Sequence, residues 1–476
     1  MADSQALLDR LAAAANPGGG WGYAAGKASH PEPTCLALLA LGTARERFAP
    51  QLANGLAALE KHRQPDGGYL LGGGRPEAYW PTAIALFTRL ALGAAPEQVK
   101  PTVARVLGVE SRPVAKDPEA ADMQNDIDLS LVGWPWAATN FGWVEPTAWA
   151  CLALRAAGLE NHSRTQEGLK LLLDRAFDSG GVNYGNRVVL GTSTEPIPGP
   201  TALMLLAVQG AADSPRVDAA VGYLRVHAAK SNDLDHLAWA RLALGVHDAD
   251  TATRELLPEL DKKIAALAAD PGVSVHRLAL AALALGATNP MRLGYGARPA
   301  SPLDVSATAP AAGGGLFDKL KSKFRGAVAA GLGKLKPLPP TSAVHIARAA
   351  SYDAPLADIL AGQFEHFRSH LPLAGKRVVL KPNLVEYRPD RVINTDPRVV
   401  DAVITLCKRE GAAEVIVAEG PGHWRNVEFL VRESGLGAVL EKHGVRFVDI
   451  NHDEPVKVMN LGRLTKLDHL YMSRTV

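Results

Sequence analysis

The stretch NFGWVEPTAWACLALRAAG, residues 140–158, decides how the first part of this chain folds. A short aromatic turn leads into Glu145-Pro146-Thr147, and the residues that follow are almost all Ala, Leu, Cys and Trp. Proline is favoured in the first turn of a helix, and a glutamate beside it complements the positive end of the helix. A helix that is apolar nearly all round has no face for solvent. We therefore predict a helix here that is surrounded by other helices.

The same phrase recurs along the chain. It appears in GGGWGYAAGKASHPEPTCLALLAL (18–41), DGGYLLGGGRPEAYWPTAIALFTRL (66–90) and GGVNYGNRVVLGTSTEPIPGPTALMLLAV (180–208). Weaker copies of its helix follow at 235–245 and 273–286, and amphipathic segments such as 51–63 lie between the copies. Recurrence of the same turn and helix, with an amphipathic segment between the copies, indicates an array of helix pairs. Each pair buries its apolar face against its neighbours.

Helices this apolar predict an array that closes on itself, with an inner and an outer ring, because an open arc would expose an inner face. On this prediction residues 148–156 are not exposed on a groove. The Gly-Gly-aromatic turn followed by the Pro-Thr-Ala-Leu helix resembles the prenyltransferase and squalene-cyclase repeat superfamily over about residues 5–290. The resemblance implies an all-α domain, an α/α toroid of helical-pair repeats, which we place at residues 1–290.

The catalytic acid motif of the cyclases in that superfamily is incomplete in this chain. Cyclases of the squalene type carry an Asp-x-Asp-Asp motif that protonates an alkene. The nearest string here is Asp126-Ile127-Asp128, followed by Leu129, so the paired acid that would tune the proton is missing. We interpret this string as a solvated loop and expect Asp126 and Asp128 to be dispensable.

The zinc site of the protein prenyltransferases is not predicted either. Those enzymes carry an Asp two residues before the zinc-binding Cys, whereas Cys151 follows Trp149 and Cys35 follows Pro33 at that spacing. Asp235-His236 could orient an imidazole, but a surface helix start is the simpler interpretation. We expect no metal site, and the cofactor is unknown.

Aromatic residues collect beside the starts of the predicted inner helices. They either wedge the turns between repeats or face a central apolar cavity that holds an isoprenoid or a similar lipid. An anionic head group such as a diphosphate would then lie near the helix N-termini. The cavity candidates are Trp21, Tyr23, Trp80, Trp143, Tyr184 and Trp239.

Composition favours a globular chain in a reducing compartment. The hydrophobic fraction is 47%, the charged fraction is 21% and the net charge is +2. The three cysteines form no Cys-x-x-Cys pair, and the N-terminal residues lack the pattern of a signal peptide. We expect a cytoplasmic protein of two or three domains with no nucleic-acid partner.

The chain changes character after about residue 290. Residues 291–340 are predicted to be a linker that contains a basic amphipathic helix at 316–336, with six basic residues and one acidic residue. Such a helix could lie on an anionic membrane surface, or its apolar stripe could dock onto a flanking domain. Both interpretations stay open.

Strands alternate with helices from residue 341 to residue 476. This alternation predicts an α/β domain with a doubly wound parallel sheet, in which ligands lie beyond the carboxyl ends of the strands. Polar residues collect at those ends, in Lys381-Pro382-Asn383, Asn394-Thr395-Asp396 and Glu419-Gly420-Pro421-Gly422-His423.

These three motifs together resemble DUF362, a family known only as a domain of unknown function. Some relatives carry cysteine runs for iron–sulfur clusters, but this chain has none, so an iron–sulfur cofactor is not expected. The side chains could bind an anionic ligand, move a proton or hold a metal, or they could only shape turns and caps. The candidates are Lys381, Asn383, Thr395, Asp396, Glu419 and His423.

Members of that family usually continue beyond the point where this chain ends, so we expect a fragment or a domain that another chain completes. The final segment, LDHLYMSRTV, is expected to approach a strand and to bury Tyr471 and Val476. For function, three hypotheses stay open. The toroid binds an apolar ligand while the second domain acts on an anionic one, or the protein is a cyclase or prenyltransferase-type enzyme, or it is a non-catalytic scaffold.

Overall fold

The structure is a computed structural model, and its described residues form two compact units, one within Met1–Ala311 and one within Ala312–Val476. The residues that the structure describes are 2–71, 80–112, 127–137, 140–189, 192–211, 214–248, 250–294, 344–389, 391–422, 425–459 and 469–476. The amphipathic helix expected at 316–336 and the residues Asp126 and His423 lie outside these ranges.

The N-terminal unit is helix-rich. Its helices are α1 (Ala2–Ala13), α2 (Pro31–Leu41), α3 (Ala49–Glu60), α4 (Pro81–Ala91), α5 (Pro96–Leu107), α6 (Val144–Ala156), α7 (Ser163–Asp174), α8 (Pro198–Val208), α9 (Pro215–Lys230), α10 (Leu234–Leu244), α11 (Thr251–Ala268) and α12 (Val275–Ala284). A short antiparallel pair, β1 (Val188–Val189) and β2 (Thr192–Ser193), precedes α8.

The even-numbered helices are buried on all sides. In α6 every residue from Val144 to Arg155 is buried, and in α8 every residue from Gly199 to Val208 is buried. The odd-numbered helices bury one face only, as in α3, where the buried residues are Leu52, Gly55, Ala58 and Leu59. Spacings of three and four residues give a helix one apolar stripe, so the second set forms an outer layer over the first.

The contacts among the even-numbered helices return to their starting point. Helix α2 packs against α4, α4 against α6, α6 against α8, α8 against α10, α10 against α12, and α12 against α2. The odd-numbered helices pack onto this set, for example α3 on α2 and α5 on α4. We call α2, α4, α6, α8, α10 and α12 the inner helices.

A threonine hydroxyl joins the start of each of four inner helices to the glycine-rich turn before it. The Oγ1 of Thr34 accepts a hydrogen bond from the backbone N–H of Trp21 (3.0 Å) and donates to the carbonyl of the same residue (3.1 Å). Thr82, Thr147 and Thr201 make the same two contacts with the backbones of Tyr69, Trp134 and Val182. The Pro-Thr step is therefore the clamp that fixes each turn onto its helix.

The C-terminal unit contains a small parallel sheet. Its elements are α13 (Leu356–Glu365), β3 (Arg377–Leu380), α14 (Pro397–Arg409), β4 (Glu414–Glu419), α15 (Val427–Glu433), α16 (Leu436–His443), β5 (Phe447–Asp449), β6 (Pro455–Met459) and β7 (His469–Ser473). Strands β3, β4 and β5 are parallel in that order, and β6 pairs with β7 in an antiparallel ribbon.

Apolar side chains of α14 and α16 cover one face of the central strand. Val415 and Val417 of β4 pack with Ile404 of α14 and with Leu436 and Leu440 of α16. Because strand residues alternate between faces, Ile416 and Ala418 point to the other face, and both are also fully buried. A strand buried on both faces reads as an apolar run in the sequence, which is how VIVA at 415–418 reads.

The expectation that Val476 is buried is wrong. The final segment does enter a strand, β7, but Val476 lies after it and is 60% exposed, and Tyr471 is half-buried. A two-stranded ribbon shields little of its own surface, so the side chains of β6 and β7 are half-buried or exposed.

Candidate functional site

Ionisable side chains occupy the second position of four inner helices. These residues are Glu32 of α2, Glu145 of α6, Asp235 of α10 and His276 of α12. Glu145 and Asp235 are buried, and Glu32 and His276 are largely so. We call these four residues the polar layer of the N-terminal unit.

Aromatic side chains from three inner helices meet one helical turn beyond the polar layer. The ring of Trp149 in α6 lies 6.0 Å from Phe87 of α4 and 6.1 Å from Trp239 of α10, centroid to centroid. All three are almost fully buried. Residues four apart share a helix face, so Glu145 lies on the face of Trp149 and Asp235 on the face of Trp239. The polar layer therefore lies next to an aromatic floor.

Tyr23, Glu32 and His276 form a cluster where α12 packs against α2. The Tyr23 hydroxyl lies 2.5 Å from Glu32 Oε2, and His276 Nε2 lies 3.4 Å from Glu32 Oε1. Burial opposes the charge of His276, but its hydrogen bond to Glu32 and the charges of Glu32 and Asp235 raise its pKa above the usual value. The imidazolium form of His276 is therefore stabilised in the folded protein.

Asp235 is not at a surface helix start, so that expectation is wrong for this residue. It is only 7% exposed, and its carboxylate lies 3.2 Å from the Arg277 guanidinium of α12. The sequence shows Asp235 beside His236 on a short polar step. Arg277, which lies across the interface between α10 and α12, is distant in sequence, and no local pattern shows that it neutralises Asp235.

A small apolar pocket that encloses about 10 Å³ and is partly open to solvent lies at the starts of α4 and α6. Trp80, a cavity candidate, lines it together with Thr82, Ala83, Val106, Val109, Trp134, Pro135 and Pro146. The Trp80 ring also packs edge-on against Trp136, at 5.4 Å. None of the described residues that line this pocket is charged.

The other cavity candidates have different surroundings. Trp21 is fully buried and donates its indole N–H to the carbonyl of Leu11 in α1 (2.8 Å), so it lies between the turn and an outer helix. Trp143 packs edge-on against Phe141 at 5.4 Å, and the Tyr184 carbonyl accepts the N–H of Val144 (3.0 Å). Trp239 belongs to the aromatic floor.

Asp128 takes part in a loop rather than in a paired acid. Its Oδ1 accepts hydrogen bonds from the N–H and the hydroxyl of Ser130, and its own N–H donates to Asp174 (3.0 Å). Burial raises the thiol pKa of Cys35 and of Cys151 to about 12, so neither is a ready thiolate for zinc or for nucleophilic attack. Among the residues that the structure describes, no group of three or more His, Cys, Asp or Glu side chains is arranged to hold a metal ion.

In the C-terminal unit, Lys381 and Glu419 meet at the carboxyl ends of β3 and β4. The Lys381 ammonium lies 2.6 Å from Glu419 Oε2, and Glu419 Oε1 accepts the N–H of Gly420 (2.8 Å). The glutamate is buried, whereas the lysine side chain is 61% exposed. An ammonium has three N–H donors, so Lys381 can hold this contact and still donate to a ligand.

The other candidates of this unit make hydrogen bonds that shape the loop between β3 and α14. The Asn383 N–H donates to Thr395 Oγ1 (2.9 Å), and its amide donates to the carbonyl of Ile393 (3.2 Å). Asp396 is the N-cap of α14, because its Oδ1 accepts the N–H of Arg398 (2.9 Å). Arg398 and this cap together hold the pKa of Asp396 below its usual value.

Two residues beyond the third strand were missed in the sequence. Asp449 ends β5 and is the register partner of Glu419 on β4. The Asp449 Oδ2 lies 2.7 Å from Nδ1 of His452. Only the pairing of β4 with β5 brings Asp449 beside Glu419. The one sequence signal was the polar run NHDE at 451–454, directly after a strand.

No helix in the part of the chain that the structure describes is long and apolar enough to cross a bilayer. No curated protein matches the chain. Among solved structures, the type II terpene cyclase MstE from Scytonema, in its apo form, is similar at 18% sequence identity with a TM-score of 0.39. That match covers 56% of this chain and 77% of the cyclase chain.

A family model matches the C-terminal part of the chain. Residues 378–476 match the family described as "Domain of unknown function (DUF362)". The match begins at β3 and includes Lys381, Glu419 and Asp449. The resemblance that the strand-end motifs indicated is thereby confirmed: residues 378–476 of this chain are a DUF362 domain.

Proposed function

We propose that the N-terminal unit is a closed α/α toroid that binds an apolar, isoprenoid-like molecule, and that the DUF362 domain binds or acts on an anionic ligand. The cyclic contacts of the inner helices support the toroid. The observation that carries the apolar ligand is the uncharged pocket between Trp80 and Trp134. Ligand pockets in proteins are mostly apolar with a few polar groups, and here the Thr82 hydroxyl already bonds to the backbone of Tyr69, so the contact offered to a ligand is mainly apolar.

The pocket favours a small or partly inserted molecule. Its enclosed volume is only about 10 Å³, which is room for about one water molecule, whereas ligand sites usually enclose about 300–1,000 Å³. The aromatic floor of Phe87, Trp149 and Trp239 fills the space between the inner helices one helical turn farther from their N-termini. Binding therefore requires the side chains that line the pocket to move apart, and one end of an isoprenoid requires less movement than a chain that threads the whole ring.

Mass spectrometry of an organic extract of the purified protein tests the apolar ligand. We expect a compound of isoprenoid class to co-purify with the full chain and to be depleted in Ala83→Leu, whose larger side chain fills the pocket. Val226→Leu, at an exposed position of α9, is the control. Equal recovery of the compound from both variants would show that this pocket is not the site.

For the DUF362 domain, the proposal rests on the exposed ammonium of Lys381 beside the buried Glu419. Calorimetric titration with inorganic pyrophosphate tests it. Lys381→Met should abolish binding, whereas Lys442→Met should not. Lys442 is a matched control, because its side chain is 62% exposed and its ammonium lies 2.7 Å from a carboxylate, that of Asp401. Equal loss in both variants would point to general charge rather than to a site.

The aromatic floor favours a second candidate function, a scaffold without a ligand. Three large side chains from three inner helices occupy space that a ligand would need. If the extract of the purified protein holds no apolar compound and added isoprenoids do not bind, the scaffold becomes the better account of the N-terminal unit.

A further inference from the structure

We propose that the strand-end site of the DUF362 domain extends to the third strand, where His452, oriented by Asp449, accepts a proton from the anionic ligand. The proposal rests on the proposed function of this domain, since it assumes that Lys381 holds an anion. It adds a second ligand-contacting side chain and states what that side chain does.

The hydrogen bond to Asp449 decides which nitrogen of His452 can take the proton. Nδ1 lies 2.7 Å from Asp449 Oδ2, and a carboxylate can only accept, so Nδ1 carries the hydrogen. In the neutral imidazole Nε2 is then the acceptor. The side chain is 36% exposed, so a ligand from solvent can reach it.

The backbone places His452 in the row of strand ends that holds Lys381 and Glu419. Asp449 and Glu419 are register partners on adjacent strands, and the N–H of Ile450 donates to the Glu419 carbonyl (3.1 Å), which extends the pairing past the strand. Adjacent strands lie about 4.8 Å apart. Lys381 follows β3 and His452 follows β5, and these are the two strands on either side of β4, which ends at Glu419.

The turn after β5 is fixed to the turn after β4. Asn451 donates its amide to the carbonyl of Pro421 (2.6 Å), and a Cβ at Gly420 would lie 2.5 Å from Asn451 Oδ1. A side chain at position 420 would therefore displace the side chain of Asn451. This contact holds the residue before His452 against the residues that follow Glu419, so the two halves of the site keep their spacing.

A second histidine–aspartate pair in the same unit lies away from the carboxyl ends of the strands and serves as a comparison. His443 Nε2 lies 2.7 Å from Asp401, and its side chain is only 12% exposed. His443 ends α16, before β5 begins, so this pair lies near the amino end of the strand. Its acid also binds Lys442, which makes it an ion cluster between α14 and α16.

The chemistry identifies the ligand class as an oxyanion with an ionisable O–H. The Lys381 ammonium binds one anionic oxygen, and Nε2 of His452 takes the proton from an O–H of the same ligand. The ligand gains one negative charge, and His452 becomes an imidazolium whose charge Asp449 offsets. Monohydrogen pyrophosphate has both groups, and it is long enough to bridge side chains from two outer strands, so it serves as the probe.

Nuclear magnetic resonance of the full chain with ¹⁵N-labelled histidine tests the proposal. His452→Gln and His443→Gln assign the two signals. Adding pyrophosphate should shift the Nε2 signal of His452 and leave that of His443 in place. In calorimetry, His452→Gln should weaken pyrophosphate binding by about tenfold, the loss of one hydrogen bond to a charged group, and His443→Gln should not.

Asp449→Asn tests whether the Asp449 carboxylate orients the imidazole of His452 or only contacts it. It should mix the two neutral tautomers of His452 in the ¹⁵N spectrum, because an amide can present its N–H to Nδ1. Binding that depends on Lys381 but leaves the His452 signal unmoved, with His452→Gln as tight as the native chain, would overturn the extended site alone. No binding of pyrophosphate by the native chain would overturn both this inference and the proposed anionic ligand.

Discussion

At the scale of single residues, the threonine of each Pro-Thr step has a structural task. Its hydroxyl satisfies the backbone N–H and carbonyl of one residue in the turn before the helix, and the side chain is buried. A buried backbone group that loses its partner costs about 1–3 kcal/mol. The recurrence of threonine after proline therefore reflects folding rather than ligand binding.

A pair of substitutions tests this assignment. Thr34→Val should lower the free energy of unfolding by about 1–3 kcal/mol, because the backbone of Trp21 is left unsatisfied. Thr102→Val in α5 should be neutral or stabilising, since this hydroxyl is buried and has no hydrogen-bond partner among the described residues. Chemical denaturation of both variants measures the difference. Equal effects would refute the clamp.

The sequence indicated the positions of the C-terminal site better than the roles of its residues. Lys381 and Glu419 follow strands, so the rule for parallel sheets places them together. Asn383 and Thr395 follow the same rule, yet they bond to backbone groups and shape a loop. The partners of a polar side chain depend on distances that spacing in sequence does not give. Asp449 and His452 were missed for the same reason.

At the scale of the element, the glycine-rich turns must approach the outer helices closely. Gly19 has a φ of +82°, and a Cβ there would lie 2.3 Å from the Asn54 carbonyl oxygen in α3. A turn that carried any other residue would push α3 away from α2. The repeat in the sequence is therefore a repeat of packing between a turn and a helix, which the Gly-Gly pattern signalled.

Two glycines in the first repeat separate conformational strain from crowding. Gly26→Ala should cost about 1 kcal/mol, because φ is +74° but no atom lies within 4 Å of the new Cβ. Gly19→Ala should cost about 2 kcal/mol more, because the backbone of α3 must shift. Thermal and urea unfolding of the two variants measure this. If the two costs match, crowding at the turn is unimportant.

The apolarity of the inner helices predicted their burial but not what fills the space between them. Trp149 and Trp239 look alike in sequence, each at the sixth position of its helix. Only their contact, 6.1 Å between centroids, shows that the two side chains face each other. The buried face of a helix can be predicted from its sequence when the opposite face is polar. The inner helices have no polar face, so their sequence does not show which side chains face one another.

At the scale of the whole unit, the ring of contacts joins segments that are far apart in sequence. Besides the His276–Glu32 pair, the backbone N–H of His276 donates to the Tyr23 carbonyl (3.2 Å). The Arg10 guanidinium of α1 donates to the carbonyls of Ala268 and Asp270 (2.6 and 3.1 Å). These bonds connect the first helices to the last ones, so the junction stabilises the unit only when both ends are folded.

The contacts between α12 and α2 at His276 should weaken as pH rises. The pKa of His276 is higher in the folded protein than in the unfolded chain. The stabilisation by its imidazolium form is therefore complete below about pH 6.5, and it is lost as the pH rises through the pKa of the folded state. Glu32 and Tyr23 face the His276 ring from α2 and the preceding turn, with His30 packed behind Tyr23, and Asp235 and Arg277 face it from α10 and α12.

Hydrogen exchange of α2 and α12 across this pH range measures the effect. In the native chain, protection of both helices should fall above about pH 6.5, and in His276→Gln it should be lower and independent of pH in this window. His247→Gln is the control, because His247 bonds a backbone carbonyl, that of Leu205, rather than an acid. A native chain whose protection rises with pH would contradict the assigned charge of His276.

The most direct test of the proposed function is a calorimetric titration of the full chain with farnesol, a short isoprenoid alcohol, comparing the native protein with Ala83→Leu. The pocket beside Trp80 predicts saturable binding to the native chain at one site, with a negative heat-capacity change from apolar burial. Ala83→Leu should weaken that binding at least tenfold while the unfolding temperature stays close to native. Absence of binding to the native chain, or equal binding to both proteins, would contradict an apolar ligand site at this pocket.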